Sequence, residues 1–411
     1  MPLLQGRHSD IIIPEYSLTG DFLSFLRCGL QYRYHRKADW TSPNPTQIWF
    51  GEFLHKMMAA GYHHYQQIKN LNLNALVWQT DLRPMEMDIY RQLSNRGIRP
   101  TPDLFCWYNE NNETTSGCGE ENDPHHPHKL LASQRAEMSI KIIGEMIYPF
   151  ISEVERRLKG VRSMPVPRQT DRSPIYGLTG VVDVISSVNL VEAHPYSQLL
   201  IALEEVEILG GPDTIQNFEI IIDYKGMRRP PANDLDDSTA QHHEWQIADY
   251  AWLRRQQQGN IPVLAGIVIY VNELVPSKRD LWTLKQEIAN NLTDIAPVEG
   301  SPDFNAISNY QRHDEIPPIT NRFKGKRALK IIPITPNIEQ NALLAFDNTV
   351  RQIEDCIIDE IQGQHPLEVW PALPVQRNCT LCDFKTFCVE LRNHPQIAGD
   401  VGTKPPVPPQ I

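Results

Sequence analysis

Apolar positions along this chain follow two different periods. Over 17–36 and 46–70 they recur three and four residues apart, as in IWFGEFLHKMMAAGYHHY, which predicts two helices. The segment LLASQRAEMSIKIIGEMIYPFISEVERRL (130–158) keeps that spacing and has no glycine before Gly144. It predicts one long helix or a helix pair. Then the pattern changes: YGLTGVVDVISSVNL (176–190), FEIIIDYKG (218–226) and IPVLAGIVIYVN (261–272) are rich in Val and Ile and bounded by turn formers, as buried strands are. Helical spacing returns in QHHEWQIADYAWLRRQQQ (241–258). Strand, strand, helix, strand predicts an α/β fold, a mixed sheet with helices packed against it.

Between these segments, YNENNETTSGCGEENDPHHPHK (108–129) is almost devoid of apolar residues and reads as a loop. Cys106 and Cys118, with His125, His126 and His128, could bind a metal there, but their spacing is unspecific. The closing GTKPPVPPQI reads as a disordered tail, and no internal repeat is visible.

The chain has 411 residues, enough for one large domain with insertions or for two ordinary ones. No leader and no apolar run of about 18–20 residues is present, so a cytoplasmic protein without a membrane anchor is expected. In that compartment the seven cysteines read as thiols or metal ligands rather than a disulfide framework. A net charge of −11 excludes a protein that coats nucleic acid with its whole surface. Local basic stretches remain at 25–37, 225–230 and 321–330.

Two acids interrupt the apolar strands. Asp183 is the only charge in GLTGVVDVI, and Asp223 and Lys225, two apart, share one face of FEIIIDYKG. A carboxylate in an apolar sheet needs a cation beside it. Lys225 alone could be that cation, as an internal ion pair. Two acids converging from neighbouring strands would instead attract a divalent metal ion such as Mg2+, with Lys225 assisting a water or steadying phosphate charge.

Gly180-x-x-Asp183 followed by Asp223-x-Lys225 resembles the signature of the PD-(D/E)xK nuclease superfamily, whose fold is the restriction-endonuclease-like sheet. Gly51 and His55 in FGEFLHKMM resemble the G-x-x-x-H helix of its RecB-type branch, and Gln246 and Tyr250 in WQIADYAWL the Q-x-x-x-Y motif that follows the acid-lysine strand. Cys379, Cys382 and Cys388, spaced C-x2-C-x5-C, with Cys28 near the start, are similar to the four cysteines of members that carry an iron-sulfur cluster. Zinc is the alternative for such a set. One departure is Gly29, where a proline is common in the family.

The resemblance implies a Mg2+- or Mn2+-dependent deoxyribonuclease, an exonuclease on single-stranded DNA or DNA ends. His55, Asp183, Asp223 and the Tyr224 carbonyl would hold the metal. His55, Asp183, Asp223 and Lys225 would form the catalytic group, and Cys28, Cys379, Cys382 and Cys388 would bind a [4Fe-4S] cluster. Gln246, Tyr250, Arg228 and Arg229 would contact DNA, and Tyr32 and Tyr34 are candidates for stacking on bases. Glu153, Glu155 and Glu219 are weaker candidates to extend the metal site. The implied organisation is a single nuclease domain over 1–395, with insertions at about 66–150, 189–216 and 290–365, and a tail over 396–411. No phosphate-binding loop G-x-x-x-x-G-K-[ST] occurs, so a helicase or defence-complex partner would be a separate chain. The rival expectations are a non-catalytic DNA-binding or scaffold subunit and a zinc-stapled structural protein.

Overall fold

The computed structural model describes residues 13–37, 45–68, 72–107, 129–168, 171–194, 196–209, 215–234, 238–257, 259, 261–375, 378–379, 382, 384–385 and 388–394. The expected loop tip with Cys118, His125, His126 and His128 lies outside these, as does the tail over 396–411.

Six strands form one mixed sheet: β1 (Glu15–Ser17), β2 (Ile151–Ser163), β3 (Ile175–Asn189), β4 (Asn217–Lys225), β5 (Val263–Tyr270) and β6 (Leu329–Pro333). The order is β1-β3-β4-β5-β6, with β2 on the other side of β3. β1 runs parallel to β3 and β4 parallel to β5, while the remaining pairs are antiparallel. β4 is interior and buried from Phe218 to Tyr224, which is why its sequence is a continuous apolar run rather than an alternation.

Helices cover both faces. α1 (Pro45–Gln67), α2 (Arg83–Asn95) and α3 (Leu131–Met138) enclose one core with Val184, Ile220, Ile222 and Tyr224. α4 (Thr239–Arg255) and α6 (Pro336–Ile361), with the short helical turns of Leu18–Tyr32, enclose a second against Leu178, Val182, Ile185 and Ile221. Between them in sequence, α5 (Lys278–Ala289) starts with a capping box in which Ser277 and Asp280 satisfy each other's amides, and it anchors a small satellite cluster around Leu281, Ile307 and Tyr310.

The expected mixed α/β sheet is therefore present, and three expectations about its parts change. The helical reading of 130–158 holds only to Phe150, because Ile151–Ser163 is strand β2. Much of β2 is exposed, so its side chains carry little of the period-two apolar signal that marks a strand. The helix expected over 17–36 is helical from Leu18 onward, but in short segments interrupted at Cys28, which is extended with φ −171°. The segment 290–365 supplies β6 and α6, both built into the sheet and the second core. Cys106 is disulfide-bonded, where a thiol or a metal ligand was expected. Among the described residues no helix is long and apolar enough to cross a membrane.

Candidate metal and acid-lysine site

The site forms where the sheet forks. β3 and β4 pair only as far as Val184 and Ile222, and nearer its start β3 pairs with β1 instead, at Gly177–Thr179. Val182 belongs to the second core and Val184 to the first, so β3 reverses its facing across Asp183. The backbone NH of Tyr224, freed from the ladder, donates to Asp183 Oδ2 at 2.8 Å. One carboxylate thus substitutes for the missing sheet bond.

α1 brings His55 across this fork. Its Nδ1 lies 3.2 Å from Asp183 Oδ1 and its Nε2 3.1 Å from the Tyr224 carbonyl. Burial pulls the imidazole pKa down, but the adjacent Asp183 carboxylate outweighs it and lifts the value to about 9. The imidazolium is then the stable form, and both ring nitrogens donate.

Asp223 is 3% exposed. Burial raises its pKa, and the Lys225 ammonium opposes that shift. Lys225 Nζ sits 2.7 Å from Asp223 Oδ2 in ion-pair contact. Gln246 holds the pair together from α4. Its Oε1 accepts from Lys225 Nζ at 2.8 Å, and its Nε2 donates to Asp223 Oδ1 at 3.3 Å and to the Tyr250 hydroxyl at 3.2 Å. Tyr250 in turn explains Gly180: a Cβ there would fall 2.5 Å from Tyr250 Cε1. Glycine lets the α4 tyrosine lie flat against β3.

His55, Asp183, Tyr224, Asp223, Lys225, Gln246 and Tyr250 are therefore linked by direct contacts, whereas the other expected site residues are engaged elsewhere. Arg228 makes a two-pronged ion pair with Glu287. Arg229, 5% exposed, donates to Asp294 and to the carbonyls of Arg327 and Leu329. Arg229 and Tyr250 are buried, at 5% and 2% exposure, while Arg228 is partly exposed and engaged by Glu287. Tyr32 and Tyr34 are buried as well, Tyr32 donating to Asp21 and Tyr34 packing on Phe384. Glu219 and Glu153 both bind Arg254, at 2.7 Å and 2.8 Å.

Cys28, Cys379, Cys382 and Cys388 line one cavity of about 30 Å3. The two chain ends meet there: Leu30 NH donates to the Pro371 carbonyl at 3.0 Å, and Asn378 Nδ2 to the Arg27 carbonyl at 3.3 Å. Gly29 follows from the same contact, since a Cβ on it would stand 2.8 Å from the Pro371 ring. Burial, together with the neighbouring cysteines, pushes the Cys382 thiol up to about 12. Among the described residues, no three His, Cys, Asp or Glu side chains stand at the distances of an assembled metal site. The donors nevertheless suit metals in kind. The acid site offers two carboxylates, a carbonyl and an imidazole, the oxygen-rich donor set a hard cation takes. The cavity offers four thiols, as a soft metal or cluster requires.

A mixed sheet with acids from two adjacent strands and a lysine at its fork defines an α/β protein of the nuclease type. The family model of the PD-(D/E)XK nuclease superfamily matches residues 22–389, and the chain belongs to that superfamily. No curated protein matches the chain significantly.

Proposed function

We propose that the protein is a Mg2+- or Mn2+-dependent deoxyribonuclease of the RecB-type branch, acting as an exonuclease on single-stranded DNA or DNA ends. The observation that carries the reading is the bonded set His55, Asp183, Asp223, Lys225 and Gln246 at the fork between β3 and β4. In this reading His55, Asp183, Asp223 and the Tyr224 carbonyl hold a divalent cation. When bound, that cation supplies charge neutralisation at the scissile phosphate and eases deprotonation of the attacking water. His55 must give up its proton to serve as a ligand. Lys225, fixed between Asp223 and Gln246, presents a positive charge where the phosphate gains negative charge. Gln246 and Tyr250 act by positioning, because their polar atoms reach Asp223, Lys225 and each other.

The four cysteines fit a structural [4Fe-4S] cluster that clasps the two ends of a single domain over 1–395. Absorbance near 400 nm in anaerobically purified protein, with iron present, checks that assignment; colourless protein with stoichiometric zinc overturns it. For the nuclease itself, the protein is incubated with end-labelled single- and double-stranded DNA and Mg2+ or Mn2+, beside Lys225→Ala. Metal-dependent cleavage, lost in the variant, is the expected result. Binding without cleavage by either protein would favour a scaffold subunit instead.

A further inference from the structure

β2 breaks its ladder at one residue. Its register pairs Val154 with Val184 and Arg156 with Val182, so Glu155 stands directly across from Asp183, and from Glu153 to Ser163 that rung alone is missing. Glu155 adopts φ 47°, the left-handed region that residues with a Cβ rarely enter. Its carboxylate has no hydrogen bond or ion pair among the described residues. Two arginines are close in the fold, yet Arg156 and Arg254 both turn to Glu153, at 3.2 Å and 2.8 Å. Together with His55, Asp183 and Tyr224, Glu155 lines a cavity of about 10 Å3, close to the space of one water molecule. The buried hydroxyl of Tyr224, a residue of the same wall, has no hydrogen-bond partner either.

Like charges on directly opposed strand residues repel. Glu155 is exposed on its outer side, yet it stands across from Asp183 and lines the same small cavity as Asp183 and His55, an arrangement that a cation between the two acids would reconcile. We infer that Glu155 contributes a third carboxylate to the divalent-cation site of His55, Asp183 and Asp223, an inference that rests on the nuclease reading above. It adds to that site an acid from the edge strand, which the motif residues do not include. Hard divalent ions take six or more oxygen ligands, and a further carboxylate raises affinity for them.

The test is Mn2+ binding by the full chain without DNA, followed by calorimetry and by the spin-resonance signal of free Mn2+. Glu155→Gln keeps the shape and removes the charge, and the expected result is Mn2+ affinity about tenfold weaker than wild type. Glu153→Gln, two residues away on the same strand, is expected to leave the affinity unchanged. Glu155→Gly relieves the left-handed backbone, so it is expected to raise the melting temperature while weakening Mn2+ binding, a combination that a purely structural residue would not give. Wild-type affinity in Glu155→Gln, alongside binding lost in Asp183→Asn, would overturn the role of Glu155 and leave the nuclease reading standing. No Mn2+ binding by wild type would overturn both.

Discussion

Replacing Lys225 with alanine separates an internal ion pair from a metal site. The substitution strands the Asp223 carboxylate, 5% exposed at its side chain, without its cation. Removing one partner of a buried pair typically costs ~3–5 kcal/mol. Here the loss is capped because Asp223, its pKa already raised by burial, can take up a proton instead. With Lys225 itself 17% exposed, a deficit of about 2–3 kcal/mol at pH 7 is expected. A carboxyl whose folded pKa lies above its unfolded value favours the fold when protonated, so the deficit shrinks as pH falls toward that raised pKa. Mn2+ supplies the decisive arm. At a hundred times its dissociation constant a bound ion stabilises by ~2.7 kcal/mol, which would recover most of the loss by standing in for the ammonium. Urea unfolding at pH 7, with and without Mn2+, measures both terms, and cleavage of end-labelled DNA should stay absent throughout. Failure of Mn2+ to stabilise the variant, at concentrations that saturate wild type, would refute the metal role of Asp223.

Other substitutions probe the supports of the site. Gly180→Ala drives a Cβ into Tyr250, and overpacking of this kind costs ~1–3 kcal/mol; urea unfolding should show that loss, and adding Tyr250→Ala should recover part of it. Arg229→Ala, which leaves Asp294 unpaired, should destabilise by ~3–5 kcal/mol without changing the salt dependence of DNA binding measured by fluorescence anisotropy. Because Arg229 holds the Asp294 carboxyl below its usual range, the contribution of that pair is present above the unfolded carboxylate pKa, about 3.9, and should disappear in wild type as pH falls through the lower folded value. Cys388→Ser should abolish any absorbance near 400 nm and lower the melting temperature, while Cys356→Ser, whose thiol donates to the Val369 carbonyl, should keep the colour.

The sheet and the acid-lysine pair were legible in the sequence for a physical reason. Buried strands such as β4 must be apolar almost throughout, so a single acid-x-lysine stands out in them. Edge strand β2 was not legible, because many of its side chains meet solvent and its string of charges mimics an exposed helix. The same blindness left Glu155 among the weaker candidates, because its nearness to Asp183 depends on strand register and not on sequence distance. The ion pairs of Arg228 and Arg229 were not legible either. A basic pair beside a catalytic motif reads as a phosphate contact, but their partners Glu287 and Asp294 lie more than fifty residues on, visible only once the chain is folded.

The meeting of the chain ends has a consequence for synthesis. The second core takes Phe22 and Phe25 from the first thirty residues and Trp370 and Phe384 from beyond residue 365, while α1, β3 and β4 draw their own core from the middle. On the ribosome, the half of the fold that carries His55, Asp183 and Asp223 is complete in sequence before the other half can close. Its α4 face, and the Gln246 that steadies Lys225, wait for the segment beyond residue 365 to emerge. The acids are therefore encoded ahead of their support, and the segment around Trp370 and Phe384 is what seals the second core.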